Sequence, residues 1–406
     1  MNLKMLGTKF FHNKQVLGFC FYDFSNSAFI LLINSYLFPI FLKTEVFGNE
    51  KIGDYYWGLA VSLSVLIALI ISPIMGSLAD RGARKIIMLV LVTMTFIGVV
   101  GLSTISPRHQ FIMLGAYIFT NACYTMSLAI YDSILPHIAP PDKYTLVSSL
   151  SWGVGYLGGV ICFLFVFFAQ TFLSISNQSA FLLTGIFYAV FSILSLKNMP
   201  SSTINSKTKK TNISQIKNIF PFHIILFLIV MWLINEALDT IINFTSLFGF
   251  ETLMLSTTTI GIMLLVVQVL AIPSTILFGK LAKKTSERFV ILASIIVWLV
   301  ICSLGLFATN TIVLLVIVIL TSLVIGTTSS LLRSNYANRV SKEHSGLSFS
   351  LYSIATRSSS LVGPLLFGII STATGSQRIA IISIMVPLFL GAVLFMFLTR
   401  ENVLPF

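Results

Sequence analysis

Long apolar stretches alternate with short polar ones along the whole chain. Twelve of the apolar stretches are close to, or longer than, the roughly 20 residues that an α-helix needs to cross the hydrocarbon core of a bilayer. The pattern therefore predicts an all-α membrane protein with twelve transmembrane helices. We place these helices at 16–42, 55–79, 86–105, 110–134, 144–170, 178–197, 221–249, 256–279, 288–308, 311–333, 344–372 and 376–399.

The composition favours the same environment. Hydrophobic residues make up 56% of the chain and charged residues 9%, with a mean hydropathy of +0.96, which is outside the range of soluble globular domains. The net charge of +12 does not indicate a nucleic-acid partner, because the cations lie in loops between apolar stretches. The lipid bilayer is the expected partner.

The distribution of positive charge predicts the orientation. With both termini in the cytoplasm, 20 of the 25 Lys and Arg residues fall in cytoplasmic segments, which is the asymmetry of the positive-inside rule. No short apolar stretch with a cleavage site follows the basic N-terminal residues, so we expect them to lead into the first helix. Frequent Lys, Asn and Ile are typical of AT-rich bacterial genomes, so we expect a multi-pass protein of a bacterial inner membrane.

One polar loop recurs at half the length of the chain. Gly76-Ser-Leu-Ala-Asp-Arg-Gly-Ala-Arg-Lys85 returns in altered form as Gly279-Lys-Leu-Ala-Lys-Lys-Thr-Ser-Glu-Arg288, 203 residues later in a chain of 406. Residues 198–220 between the two halves are polar and basic, which is typical of a flexible linker. The repeat predicts two pseudo-symmetric six-helix bundles, 1–197 and 221–406, joined by the cytoplasmic linker 198–220.

The first copy of this loop has the residue types of a helix-contacting turn. Gly76 allows a close approach of two backbones, and Asp80 suits the positive end of a neighbouring helix. Three cations, Arg81, Arg84 and Lys85, would hold the loop at the anionic leaflet surface.

A cytoplasmic gate is the expected role of this region. Asp132 and Arg333 occupy equivalent places at the cytoplasmic ends of the fourth and tenth helices, and we expect them to act with Asp80 and the start of the eleventh helix. The alternative is that they are ordinary hydrated charges at helix ends. Lys283 replaces the acid in the second half, so the gate is expected to be asymmetric.

Polar residues inside the first predicted helix suggest a functional surface. Asp23, Asn26 and Asn34 follow helical spacing and fall on one stripe. A polar stripe that faced lipid would be very costly, so it must face a cavity or other helices. Trp152 and Tyr156 in the fifth helix are expected to be cavity or interface aromatics.

The seventh helix carries a second polar turn, with Asn235, Glu236 and Asp239. The two carboxylates share one face, and close carboxylates in a low-dielectric environment favour the protonated form of at least one of them, which suits a proton carrier. The alternative is that one of them pairs with Arg357 or caps a break in the helix. Arg357 itself could hold a substrate carboxylate or form a structural salt bridge.

Several motifs resemble one known family. The loop at 76–85 resembles the G-x-L-A-D-R-x-G-R-K loop of the major facilitator superfamily, with the second glycine one residue early at Gly82. Tyr22-Asp-Phe-Ser-Asn-Ser-Ala-Phe29 resembles the Y-D-x-x-N-S-A-F signature of the branch that contains fungal vacuolar amino-acid effluxers and their bacterial relatives. Segments 135–139, 151–159, 357–364 and 375–378 resemble other elements of that branch, whereas Glu236-Ala237 departs from its N-D-G pattern.

The resemblance implies the major facilitator fold and transport of an amino acid or related metabolite by alternating access. No phosphate-binding G-x-x-x-x-G-K-[ST] or zinc-binding H-E-x-x-H motif is present, so we expect no enzymatic activity, cofactor or metal. The resulting hypothesis is a monomeric secondary transporter of a small organic solute, with proton coupling through Asp23, Glu236 and Asp239. Two alternatives stay open: a drug or siderophore efflux pump, and a non-transporting membrane sensor or lipid-handling protein with the same fold.

Overall fold

The structure, a computed structural model, describes residues 13–48, 50–200, 221–247, 257–308 and 311–400. Within these ranges the chain forms twelve long helices and no β-strand, which confirms the predicted all-α fold. The helices are α1 Lys14–Val46, α2 Glu50–Leu78, α3 Arg84–Thr104, α4 Gln110–Asp132, α5 Tyr144–Leu173, α6 Asn177–Asn198, α7 Phe222–Leu247, α8 Thr257–Lys284, α9 Glu287–Phe307, α10 Thr311–Ala337, α11 Ser345–Thr374 and α12 Gln377–Arg400.

Most of these helices are apolar enough to cross a membrane. By length and composition, ten stretches of the described residues qualify, and one of them, Tyr56–Thr104, contains most of α2 and all of α3. The serine-rich α11 is not among the ten. Large apolar side chains are exposed along the helices, for example Ile382 at 51% and Phe397 at 60% on α12, as expected for surfaces in contact with lipid.

Helix α1 continues four residues beyond its predicted end at 42, to Val46. Its second half includes two stretches of π-helix, Phe29–Leu37 and Leu42–Val46. The polar end is stabilised by neighbours: the Asn177 side-chain amide donates to Glu45 Oε1 over 2.6 Å, and Gln110 donates to the Val46 carbonyl over 2.8 Å. These partners lie far away in sequence, so the apolar pattern alone ends the helix too early.

Helices α2 and α3 are joined by a tight turn, Ala79–Ala83. Gly82 has φ 97° in this turn, in the left-handed region that glycine adopts without a steric penalty. The turn connects the two helices and carries Asp80.

The chain forms two compact units that do not follow the sequence halves completely. The first unit contains the described residues up to 140, residues 154–200 and residues 341–350. The second contains residues 141–153 and the described residues of 221–340 and 351–400. Each unit thus includes the first turns of the fifth helix of the other half. The predicted halves, 1–197 and 221–406, stay a prediction, and most of the predicted linker, 201–220, lies outside the described residues.

Each unit has its own buried core. In the first unit, aromatic rings of α1 stack on α4: the Phe19–Tyr131 ring centroids are 4.2 Å apart and the Phe29–Tyr124 centroids 4.3 Å apart. In the second unit, Trp298 of α9 is fully buried and its indole N–H donates to Thr328 Oγ1 over 3.1 Å. These contacts hold the helices that carry the candidate residues.

Candidate functional sites

Asp80 caps the start of α11 within the first unit. Its Oδ1 accepts a hydrogen bond from the Gly346 backbone N–H over 2.6 Å, and its Oδ2 accepts one from the Leu347 N–H over 2.9 Å. The first N–H groups of a helix have no partner inside the helix and lie at the positive end of its dipole. Burial raises the pKa of Asp80, which lies in the turn outside the spanning helices, and the two N–H donors oppose that rise.

Arg84 connects the same turn to α4 and α11. Its guanidinium donates to Asp80 Oδ1 over 3.1 Å, to Ser133 Oγ over 3.0 Å and to Ser345 Oγ over 3.0 Å. His137 Nε2 also lies 2.9 Å from Ser345 Oγ. Sequence reasoning missed Ser345 and His137, because neither belongs to the recurring loop.

Two glycines bring α2 and α11 into backbone contact. A Cβ added to Gly76 would lie 2.2 Å from Ser350 Oγ and 2.3 Å from the Gly346 carbonyl oxygen. A Cβ on Gly346 would lie 2.3 Å from the Gly76 carbonyl oxygen. Close crossings of this kind depend on small residues. Ser350 Oγ completes the contact by donating to the Ser72 carbonyl over 2.8 Å.

The second unit holds the start of α5 with a different residue. Glu287, the first residue of α9, accepts hydrogen bonds from the Thr145 hydroxyl, from Ser334 Oγ over 3.4 Å and from the Asn335 amide over 3.0 Å. Just after α10, burial lowers the pKa of Arg339, and the charge of Glu287 opposes this. Sequence reasoning missed Glu287, although it lies within the second copy of the loop, four residues after Lys283.

Arg333 also contacts the start of α5. It is 2% exposed, and it donates to Ser148 Oγ over 2.9 Å and to the Ser148 carbonyl over 3.1 Å. Its guanidinium carbon lies 5.8 Å from the centroid of the Trp152 ring, within the range of a cation–π interaction. Asp132, Arg81 and Lys85, the remaining charged gate candidates, are half-buried.

Two of the three candidate residues of α1, Asp23 and Asn26, are brought together. Asp23 is 7% exposed and Asn26 is 5% exposed, and the Asn26 amide donates to Asp23 Oδ1 over 2.9 Å. Helix α5 packs closely here, because a Cβ on Gly155 would lie 3.2 Å from the Asp23 carbonyl oxygen. Tyr156 follows Gly155 in α5 and is 8% exposed.

Asn34 belongs to a separate hydrogen-bond chain. Its amide donates to Asn121 Oδ1 over 2.9 Å, its own Oδ1 accepts from the Tyr117 hydroxyl over 3.2 Å, and Asn121 donates onwards to Ser64 Oγ over 2.6 Å. Asn34 lies in the π-helical part of α1, where the wider turn changes the spacing that the stripe assumed.

The polar turn of α7 lies against α11. Glu236 is 2% exposed, and its Oε2 is buried without a hydrogen-bond partner among the described residues. Asp239 Oδ2 accepts from Ser359 Oγ over 3.2 Å, whereas the Asn235 amide donates back to the Met231 carbonyl over 2.8 Å. Arg357 is half-buried and makes no ion pair within the described ranges.

An apolar cavity of about 450 Å³ opens beside Glu236. Its walls come from α7, α11 and α12, all in the second unit. The lining residues are Trp232, Leu233, Glu236, Val362, Leu366, Ile370, Ile379, Ile382, Ser383, Val386, Pro387 and Leu390. In the part of the chain that the structure describes, no three His, Cys, Asp or Glu residues cluster as metal ligands.

Sequence comparisons find relatives of the chain. A sequence model of the family described as "Vacuole effluxer Atg22 like" matches residues 44–403. The uncharacterized MFS-type transporter YxiO of Bacillus subtilis is 26% identical over 416 residues, which cover 96% of each chain. The multi-drug resistance efflux pump PmrA of Streptococcus pneumoniae is 29% identical over 179 residues, 43% of this chain and 42% of that one.

Solved structures with the same fold are far more distant in sequence. The human organic anion transporter MFSD10 (TETRAN) matches with a TM-score of 0.78 at 12% identity, over 95% of this chain and 99% of that one. A bacterial homologue of the iron transporter ferroportin, in an outward-facing state, matches with a TM-score of 0.74 at 13% identity, over 96% and 99% of the two chains. Both similarities concern the fold alone.

Proposed function

The chain belongs to the Vacuole effluxer Atg22 like family and is an MFS-type membrane transporter, and on this premise we propose that it moves an amino acid or related metabolite by proton-coupled alternating access. It acts as a monomer, and no covalent chemistry is part of its cycle. It lies in a bacterial inner membrane with both termini in the cytoplasm, and its two six-helix halves, 1–197 and 221–406, are joined by the linker 198–220.

The buried pair of Asp23 and Asn26 carries this proposal. A carboxylate that is 7% exposed in a membrane-spanning helix, with one side-chain amide on its Oδ1, is costly unless it has a function. A carboxylate can either take up a proton or bind the ammonium group of an amino acid through charge-assisted hydrogen bonds. In the second unit, the half-buried Arg357 is a separate candidate for binding a carboxylate, since a guanidinium binds a carboxylate bidentately.

Proton coupling rests on the three carboxylates Asp23, Glu236 and Asp239. Glu236 has a buried oxygen without a hydrogen-bond partner among the described residues, so protonation removes a buried charge that is costly to keep. Asp239, one turn along α7, accepts a hydrogen bond from Ser359 of α11. A proton on this turn therefore changes how α7 packs against α11.

The contacts at the starts of α5 and α11 serve as the cytoplasmic gate. Asp80 and Arg84 hold the first turn of α11, while Glu287 and Arg333 hold the first turns of α5. Opening to the cytoplasm requires these hydrogen bonds to break. Because each involves a charged group, each is worth about 1.5–3 kcal/mol, which is enough to bias the two states.

The test is uptake of labelled amino acids into proteoliposomes, with and without an imposed pH gradient. We expect gradient-driven uptake in the wild type and its loss in Asp23→Asn or Glu236→Gln, whereas Glu343→Gln, in an exposed loop position, serves as the matched control. Uptake that ignores the gradient would reject proton coupling and keep the transporter. No uptake of any amino acid would reject the substrate class.

A second candidate function is drug efflux. The observation that favours it is the 29% identity over 179 residues to PmrA, a multi-drug resistance efflux pump. Expulsion of a fluorescent drug such as ethidium from energised everted vesicles distinguishes the two candidates. Ethidium transport together with absent amino-acid uptake selects efflux, and the reverse result selects amino-acid transport.

A further inference from the structure

We propose that the cavity between α7, α11 and α12 binds a single-chain amphiphilic amine, with Glu236 as the counter-ion of its ammonium group. The inference shares Glu236 with the proposed proton coupling but does not depend on transport. It assigns the cavity a ligand class that differs from amino acids, because the walls are almost entirely apolar.

The cavity has the properties of a ligand site. Its volume of about 450 Å³ lies within the roughly 300–1,000 Å³ of small-molecule pockets, which combine apolar walls with a few polar groups. Of the twelve lining residues named above, three have a polar side-chain atom: the Glu236 carboxylate, the Ser383 hydroxyl and the Trp232 indole N–H. The other nine side chains are apolar. Glu236 is the one charged group among these described lining residues.

Glu236 is unusual because it is both buried and incompletely paired. Its side chain lines the cavity, the residue is 2% exposed, and Oε2 has no hydrogen-bond partner among the described residues. Gly363 of α11 packs against the other oxygen, since a Cβ there would lie 2.8 Å from Oε1. A carboxylate in this position is stabilised by a cation that enters the cavity, because an unpaired buried charge is very costly.

The mouth of the cavity indicates that the ligand comes from the bilayer. Ile379, Ile382, Val386 and Leu390 line it, follow one another at helical spacing on α12 and are 46–53% exposed. An exposed apolar stripe on a membrane-spanning helix contacts acyl chains. An alkyl chain can lie along this stripe while its ammonium group reaches Glu236.

The charge of the lining selects a simple amine over a phospholipid. Among the described residues that line the cavity there is no Lys, Arg or His, so a lipid phosphate would find no counter-charge from them. A primary ammonium needs only the one carboxylate, and its bond to Glu236 is charge-assisted.

The experiment uses a decylamine that carries a photoreactive diazirine, with the full-length protein in phosphatidylcholine vesicles. Labelled peptides are identified after irradiation, with unlabelled decylamine or decanol as competitor. We expect labelling of α7 and α12, and we expect decylamine to compete at a concentration at least about tenfold lower than decanol, because only the amine forms the charge-assisted bond. Equal competition by the two in the wild type overturns the proposal.

Two variants test the roles of charge and space. Glu236→Gln should abolish the preference for decylamine over decanol, and Glu343→Gln should keep it. A preference that survives Glu236→Gln would contradict the role of this carboxylate. Val386→Trp should fill the cavity and therefore reduce labelling by the photoreactive decylamine below the wild-type level, whichever competitor is used. Unchanged labelling would place the ligand elsewhere.

Two further results separate the possible occupants and proposals. Vesicles can also be prepared with phosphatidylethanolamine at the share found in natural membranes. If this lipid prevents labelling, the occupant is a lipid and the free-amine proposal is wrong. Amino-acid uptake does not enter this measurement, so failure of amine binding leaves the proposed transport untouched, and failure of uptake leaves the binding site intact.

Discussion

Arg84 and Glu287 occupy equivalent positions in the two copies of the recurring loop, yet they carry opposite charges. Their offset is 203 residues, the same as between Gly76 and Gly279. Each contacts the serine at the end of the helix that follows: Arg84 donates to Ser133, and Glu287 accepts from Ser334. Each also contacts the start of a fifth helix, at Ser345 or at Thr145. The two copies of the loop thus make equivalent contacts, but with a cationic donor in the first copy and an anionic acceptor in the second.

Glu287 is therefore predicted to do in the second half what Asp80 and Arg84 do in the first. Glu287→Ala removes the acceptor of Thr145, Ser334 and Asn335 together. We expect a loss of about 2–3 kcal/mol, since three donors lose a charged partner. The expected result is a lower thermal unfolding midpoint together with faster access of a thiol reagent to a cysteine introduced at the neighbouring residue 146, which leaves Thr145 in place.

The matched controls are Glu287→Gln and Glu343→Gln. The glutamine at 287 keeps one acceptor oxygen and should lie between the wild type and the alanine variant, while Glu343 is exposed and should leave both measurements unchanged. If Glu287→Ala behaves like Glu343→Gln, Glu287 has no role in holding α5.

Gly76→Ala is predicted to damage the protein far more than an ordinary glycine substitution. The added Cβ would lie 2.3 Å from the Gly346 carbonyl oxygen, and that atom is backbone and cannot move alone. We expect α2 and α11 to separate, with a lower unfolding midpoint and slower uptake of the transported solute.

The control for this prediction is Gly115→Ala in α4. A Cβ there meets nothing within 4 Å, and alanine has a higher helix propensity than glycine by about 1 kcal/mol. Gly115→Ala should be neutral or stabilising. Equal effects of the two substitutions would show that the α2–α11 crossing is not tightly packed.

The sequence alone predicts some features of the structure and not others. The apolar pattern predicted the positions of the twelve long helices of the described residues, because a membrane-spanning helix needs a long apolar run. The loop chemistry led to Asp80, since an acid in a short turn is suited to a helix N-terminus. Its partners at Gly346 and Leu347 lie more than 260 residues away, and no local pattern identifies them.

Other features depend on three-dimensional neighbours that a single sequence does not reveal. Acidic residues are common in the first turn of a helix, so the sequence assigns Glu287 no special role. Its contact with Thr145 joins residues that are 142 positions apart. The Asp23–Asn34 stripe assumed α-helical spacing, whereas the π-helix at Phe29–Leu37 directs Asn34 to Asn121. The cavity beside Glu236 requires three helices to meet, and two of them are remote in sequence.

Arg333→Lys is predicted to weaken the hold on α5 although the charge is kept. Arg333 donates to both the hydroxyl and the carbonyl of Ser148 and lies over Trp152. Lysine lacks the planar fork that makes such paired bonds. We expect a fall of about 1–2 kcal/mol in unfolding free energy, measured by chemical denaturation, and a shift in Trp fluorescence as the planar guanidinium beside Trp152 is replaced by an ammonium group. Arg81→Lys, at a half-buried loop position, should change neither. An Arg333→Lys variant that keeps the stability and fluorescence of the wild type would mean that charge alone matters.

Asp23 and Asn34 are predicted to respond in opposite ways. Asp23→Asn keeps an acceptor for the Asn26 amide and removes a buried charge, so the unfolding midpoint should be unchanged or higher while solute uptake is lost. Asn34→Ala removes the donor to Asn121 Oδ1 and the acceptor of the Tyr117 hydroxyl, so the midpoint should fall by the equivalent of about 1–3 kcal/mol while uptake per folded molecule persists. Measuring midpoint and uptake on the same preparations separates the two roles. A stable Asp23→Asn variant that still transports would remove Asp23 from the mechanism, because its burial would then serve packing alone.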